Sequence, residues 1–122
     1  MQIHQSAEDY LEAILILKNQ KGAVRSIDIA VHMNYSKPSI SRAVGILKEG
    51  GYITVEQSGN IVLTEKGFAK ASAVLERHQL ITQFLQKTLG IDEALAEQDA
   101  CRIEHVISQQ TFERIKAYVA EK

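Results

Sequence analysis

Three side chains able to bind a metal crowd one short segment of the sequence, Cys101-Arg102-Ile103-Glu104-His105. On an α-helix, positions i, i+3 and i+4 share one face about one turn apart. The spacing therefore predicts that the thiol of Cys101, the carboxylate of Glu104 and the imidazole of His105 converge on a point. Such a mixed donor set suits iron, manganese, cobalt, nickel or zinc, and it does not suit calcium or magnesium, which take oxygen alone. Asp9 and Glu12 form a further acidic pair spaced i, i+3, and His78 stands by itself in a long helical stretch. Each has a plainer explanation alone: Asp9 as a helix-start acid, Glu12 as a solvated side chain, His78 as a histidine satisfied near the core. Taken together they offer donors from three separate helices, the arrangement a metal-operated switch requires. Cys101 is the single cysteine, which excludes an internal disulfide and leaves a small buried residue, a reactive thiol and a ligand all open.

The elements that must position these donors follow from periodicity and capping. Ser6 to Asn19 places Tyr10, Leu11, Ile14 and Leu15 at helical intervals, with Ser6 as N-cap, Asp9 as capping acid and Gly22 beyond the end. A short second helix opens at Arg25-Ser26-Ile27-Asp28, with Ser26 as its cap, and stops near Asn34. Ser36-Lys37-Pro38-Ser39 reads as an N-cap followed by a proline in the first turn, where a missing N–H costs nothing. This third helix runs to Gly50-Gly51, so the pair forms a helix-turn-helix. Alternation then takes over in Tyr52, Ile53 and Val55 and again in Ile61 and Leu63. The intervening Gln57-Ser58-Gly59-Asn60 is expected to supply the positive φ values of a tight hairpin, a wing. Thr64 caps a long helix reaching Gly90, another helix spans Asp92 to Ile107, and Ser108 caps a last one with Phe112, Ile115 and Val119 on one face. The surplus of apolar helical surface predicts a homodimer.

The net charge is −1, but it is unevenly distributed. Between Lys18 and Lys48 the bases Lys18, Lys21, Arg25, Lys37, Arg42 and Lys48 face Asp28 alone, whereas acids outnumber bases from Ala71 onward. A local basic surface is what phosphate binding needs. In a helix-turn-helix the N-terminal part of the second helix enters the major groove, which makes Ser36, Lys37, Pro38, Ser39, Ser41 and Arg42 the candidate DNA-binding segment, flanked by Arg25 and Lys48. Arg42 is the best candidate for a base contact, because a guanidinium reaches guanine O6 and N7 together. Ser36, Ser39 and Ser41 are expected on phosphates, which position the helix without reading sequence. The alternative is that these polar residues are merely a solvated face.

The chain has 122 residues, 45% of them hydrophobic and 24% charged, the composition of an ordinary globular protein. No apolar run approaches the roughly 18 to 20 residues of a membrane span, and the opening residues lack the pattern of a signal peptide, so a cytoplasmic location is expected. The expected fold is mainly α: a winged helix-turn-helix DNA-binding domain over residues 1–70, then a helical metal-binding and dimerisation domain over 71–122.

Ser6-Ala7-Glu8-Asp9-Tyr10-Leu11-Glu12, Ser36-Lys37-Pro38-Ser39, Val62-Leu63-Thr64-Glu65-Lys66-Gly67, Glu76-Arg77-His78 and above all Ala100-Cys101-Arg102-Ile103-Glu104-His105-Val106-Ile107-Ser108 together resemble the DtxR/MntR family of metal-dependent repressors, in a short form without the SH3-like third domain. The resemblance implies that Asp9, Glu12, His78, Glu104 and His105 stand at ligand positions of the manganese-sensing branch. It also implies that Cys101 stands where the iron-sensing branch has cysteine and the manganese branch glutamate. Thr82 and Glu97 occupy positions where the iron branch's ancillary site has a glutamate and a histidine, so the resemblance does not extend to that second site. The implied function is repression of genes for iron or manganese homeostasis through a palindromic double-stranded operator, with Fe(II) or Mn(II) as cofactor and cobalt, nickel or zinc as surrogates. A thiolate favours softer iron, cobalt or zinc, while Asp9 and Glu12 favour manganese.

Two other functional classes compete with this one. A hydrolytic metalloenzyme using Cys101, His105 and a carboxylate has no phosphate loop, nucleophile elbow or room for a substrate pocket to support it. A winged-helix regulator that senses another ligand, or none, would make the Cys-Glu-His face a coincidence.

Overall fold

The computed structural model describes residues 5–121, with side chains described from residue 7. Among the described residues there are six helices and one two-stranded sheet: α1 Gln5–Lys21, α2 Ser26–Met33, α3 Lys37–Glu49, β1 Ile53–Val55, β2 Ile61–Leu63, α4 Glu65–Leu89, α5 Glu93–Ile103 and α6 Gln109–Ala120. This is the mainly α architecture expected, a winged helix-turn-helix followed by helices. The chain divides into two compact units, the first ending at Ser72 and the second beginning at Ala73, so the division falls inside α4.

In the first unit α1 packs on α2, α3 and β2. Leu11, Ala13, Ile14, Leu15 and Leu17 are all buried, so α1 has scarcely a solvent side and acts as the spine of the unit. Ile29, Ile40, Leu47 and Ile53 supply core from the other elements, each about 1% exposed and each stabilising the fold by about 2 kcal/mol. The expected cap at Ser6 concerns a side chain outside the described residues. Helix α2 departs from expectation at its start. Its N-cap is Arg25, in extended conformation, with Ser26 already helical. The reason is Asp28, whose carboxylate reaches back to accept the Arg25 N–H at 2.9 Å. Asp28 also binds the Lys21 ammonium at 2.6 Å, and this hydrogen bond holds its carboxyl below the usual range. Asn34 ends α2 in the left-handed conformation, φ 57°. Ser36 caps α3 as predicted, its hydroxyl accepting from the Ser39 N–H at 3.4 Å.

The wing is antiparallel, with Ile53 opposite Leu63, Thr54 opposite Val62 and Val55 opposite Ile61. Within its turn only Gly59, at φ +94°, carries a positive φ among the described residues, so Ser58 and Asn60 do not contribute the left-handed backbone expected of them. At the wing's base two side chains, Thr64 and Lys66, tie the glycines after α3 to the start of α4. The Thr64 hydroxyl donates to the Gly51 carbonyl at 2.6 Å and accepts the Gly67 N–H at 3.0 Å. Lys66 donates to the Gly50 carbonyl at 2.9 Å while lying 4.3 Å from the centroid of the Tyr52 ring. Gly67 fits closely under the Tyr52 main chain: a Cβ there would stand 1.8 Å from the Tyr52 carbonyl oxygen.

In the second unit Ile81 of α4, Ala100 of α5 and Phe112, Ile115 and Val119 of α6 form the core, with Leu80, Phe84, Leu85, Ile103 and Ile107 packed against it. Asp92 caps α5 by accepting the Leu95 N–H at 2.8 Å, and Ser108 caps α6 through the Thr111 N–H at 3.1 Å. Helix α5 ends at Ile103, four residues short of the expected Ile107. Residues 104–106 form a tight turn in which the His105 N–H bonds the Arg102 carbonyl and the Val106 N–H the Ile103 carbonyl. These i→i−3 bonds wind the chain more tightly than an α-helix.

Two substitutions test this packing. Gly67→Ala should cost about 3 kcal/mol or more, because a backbone carbonyl cannot yield to a methyl group as a side chain can. Gly45→Ala, at a mid-helix position with nothing within 4 Å of the added carbon, should gain roughly 0.5 to 1 kcal/mol. Urea unfolding midpoints report both, and a Gly67→Ala midpoint equal to wild type would overturn this account of the wing base.

Candidate functional site

The candidate ligands lie in both units. In the first, Asp9 and Glu12 sit one turn apart on α1. Glu12 is 8% exposed, inside a run of buried residues, while Asp9 is partly exposed. The solvated role considered for Glu12 is therefore excluded by its burial.

In the second unit the structure brings two predicted residues together. Glu104 forms the C-cap of α5, and its side chain is fully buried, with Oε1 3.2 Å from Nδ1 of His78 on α4. Cys101 and His105 are partly exposed on the same end of α5. Among the described residues their donors do not close with His78 and Glu104 into a three-donor cluster within this unit. Ending α5 at Ile103 is one reason, since His105 leaves the helical path on which the i, i+4 spacing was counted. Thr82 is buried and donates to the His78 carbonyl at 2.7 Å, and Glu97 is exposed.

Sequence reasoning missed Arg77. Its Nη1 donates to the carbonyls of Glu104 at 2.9 Å and Ile107 at 3.3 Å, and its Nη2 donates to Oε1 of Gln109 at 2.7 Å. The partners lie 27, 30 and 32 residues away. The residue stood inside the quoted Glu76-Arg77-His78 motif, but no local periodicity marks it.

A buried carboxylate carries a desolvation cost that positive charge or a metal must offset. The imidazole of His78 and the carboxylate of Glu104 are donor types that a divalent transition ion accepts. His78 and Glu104 meet at hydrogen-bond distance, so each fixes the orientation of the other.

The DNA candidates all lie in the first unit. Lys37, Pro38, Ser39, Ser41 and Arg42 are exposed on the first two turns of α3, and Lys48 is exposed on its last. Ser36 holds that first turn together by capping it and by donating its hydroxyl to Ser39 at 2.9 Å. Lys37 and Ser41 share a cleft with Ser26, Ile27, Ala30 and Ile40. Arg25 lies apart from the other candidates, against the turn of the wing: a Cβ on Gly59 would meet its Nη2 at 2.8 Å. The wing is joined to this corner by the Ile61 N–H, which donates to the Val24 carbonyl at 2.7 Å.

Comparison with known proteins agrees with both halves. Residues 2–61 match the iron dependent repressor N-terminal DNA binding domain, and residues 64–121 match the iron dependent repressor metal binding and dimerisation domain. The chain is 35% identical over 116 residues to an uncharacterized HTH-type transcriptional regulator of Methanocaldococcus jannaschii, MJ0568, covering 94% of this chain and 93% of that one. It is 34% identical over 110 residues to the HTH-type transcriptional regulator MntR of Lysinibacillus sphaericus, covering 90% and 78%. Among solved structures, that of the manganese regulator SloR superposes with a TM-score of 0.84 at 27% identity. It covers all of this chain, which spans only 56% of the SloR chain.

The buried contact between His78 and Glu104 makes a prediction. Glu104→Gln keeps the shape and one acceptor while removing a buried charge, so the metal-free protein should unfold within about 1 kcal/mol of wild type. The rise in unfolding midpoint on adding manganese should vanish, because stabilisation by a bound ligand follows its affinity. A variant still stabilised as much as wild type would show that Glu104 is no ligand.

Proposed function

The chain belongs to the iron-dependent repressor family, and from that membership we propose that it is a homodimeric, metal-activated transcriptional repressor controlling iron or manganese homeostasis. Residues 1–70 read DNA and residues 71–122 bind metal and dimerise. The observation that carries this reading is the fully buried Glu104 carboxylate 3.2 Å from His78, since a carboxylate in that position is costly unless a cation joins it.

Asp9, Glu12, His78, Cys101, Glu104 and His105 would hold the ion, Fe(II) or Mn(II), which would supply positive charge among carboxylates that otherwise repel. Asp9 and Glu12 contribute oxygen from α1, His78 and His105 nitrogen, Glu104 oxygen and Cys101 a thiolate. A bound ion would lower the freedom of the recognition helices before DNA is met. Two half-sites must be engaged at once, about 34 to 36 Å apart or a multiple of that, so pre-organisation raises operator affinity without a new DNA contact.

On the operator, Arg42 reads a base. Ser36, Ser39, Ser41, Lys37 and Lys48 bind phosphates, and Pro38 sets the angle of the first turn. Arg25 reaches the backbone beside the wing. The partner is double-stranded, palindromic DNA, and the protein acts in the cytoplasm. None of the described helices is long and apolar enough to cross a membrane. Family members are regulators rather than enzymes, and we assign no catalytic step and no small-molecule substrate to this chain.

Gel shifts with an operator selected from random duplexes test the switch. Wild type should bind at least tenfold more tightly with manganese or ferrous ion than after chelation, and His105→Ala should lose that difference. Equal binding by wild type and His105→Ala, with and without metal, would end the model. Cys101→Glu exchanges sulfur for oxygen and should shift relative affinity toward manganese over cobalt. Calorimetry that finds the ratio unchanged would remove Cys101 from the ligand set.

A further inference from the structure

We propose that Arg77 is a positioning residue for the metal centre, its guanidinium fixing the turn after α5 so that Glu104 keeps its carboxylate on His78. The proposal rests on the metal reading above and adds a residue to which that reading assigns nothing.

Arg77 and His78 are consecutive on α4, and they take hold of the same residue by different parts. His78 meets the Glu104 side chain at 3.2 Å, and Arg77 binds the Glu104 carbonyl at 2.9 Å. The second bond of Nη1, to the Ile107 carbonyl at 3.3 Å, spans the whole turn, and Nη2 continues to Gln109 on the first residue of α6. The guanidinium carbon also lies 5.2 Å from the centroid of Phe112, a buried core ring of α6. One planar group thus fastens the end of α5, the turn and the start of α6 to α4.

The turn has need of such a fastening. The last carbonyls of a helix lack intrahelical partners and carry the negative end of its dipole. The turn's own bonds are short-range, and one, from the His105 N–H to the Arg102 carbonyl, is 3.4 Å long. The Glu104 side chain is fully buried, so a shift of this backbone displaces its carboxylate. His105 lies in the same turn, so a single shift displaces two proposed ligands. Arginine suits the task better than lysine because its planar fork meets two carbonyls and an amide oxygen at once in fixed directions.

Calorimetric manganese titration of the full-length protein, with visible spectra of the cobalt-loaded form, tests the role. Arg77→Met should bind manganese at least tenfold more weakly, the scale on which groups orienting metal ligands act, and its cobalt spectrum should shift in band position. Arg77→Lys keeps the charge without the fork and should fall between wild type and Arg77→Met in both readouts, which serves also if Arg77→Met does not fold. Lys116→Met, which removes only the exposed ion pair with Glu76, should match wild type in both. A purely structural arginine would lower the unfolding midpoint of folded Arg77 variants while leaving manganese affinity and the cobalt spectrum at wild-type values, and that result overturns the proposal. Failure of wild type itself to bind either metal would instead strike down the underlying metal reading, and the proposal with it.

Discussion

A carboxylate withdrawn entirely from water is the constraint around which the second unit is arranged. Glu104 has its side chain fully buried and its Oε1 against His78. Hydrophobic burial cannot account for placing it there, because each ionised group removed from water costs several kcal/mol before its partners offset that cost. The surrounding structure answers with an imidazole on one side and a guanidinium on the main chain. The apolar residues Ile81, Ala100, Phe112 and Ile115 supply the stability that lets such a group be kept.

The first unit answers a different demand, that of holding a polar surface rigid. The recognition helix exposes its first two turns, so it cannot be fixed from that side. It is fixed instead from behind, by Ile40, Ala43 and Leu47 in the core, and from its far end. There Thr64, Lys66 and Gly67 bind Gly50, Gly51 and the Tyr52 main chain to the start of α4. Arg25 and Val24 do the same for the wing, one over its turn and the other through a main-chain bond to Ile61. The serine cluster at Ser36 and Ser39 stabilises the exposed helix start from within. Few of these contacts are large, yet together they limit how far the reading face moves relative to its own core.

Where expectation and structure part, each case has its own physical cause. Ser26 is a good capping residue by type, but Asp28 two positions on accepts the Arg25 N–H, and that moves the cap back one residue. Gly59 alone takes the positive φ in the wing turn, because it alone lacks the Cβ that opposes it. Helix α5 stops at Ile103 because the chain after it tightens into a turn, where a guanidinium from another helix binds the C-cap carbonyl of Glu104. The i, i+3, i+4 count that singled out Cys101, Glu104 and His105 found the correct segment while assuming a regular helix through it.

From the residues alone came the helix order, the caps Ser36 and Ser108, the proline-led recognition helix, the hairpin and the donor types around Cys101. All of these depend on periodicity of 3.6 or 2 and on capping chemistry that acts within four residues, so a linear reading contains them. Tertiary structure decided that Glu12 is buried rather than solvated, that His78 meets Glu104, that Gly67 leaves room for a carbonyl and that Arg77 reaches residues 27 to 32 positions away. Those outcomes depend on which surfaces the packed helices remove from water and which distant backbone groups they bring within reach, and neither is written in the spacing of neighbours along the chain.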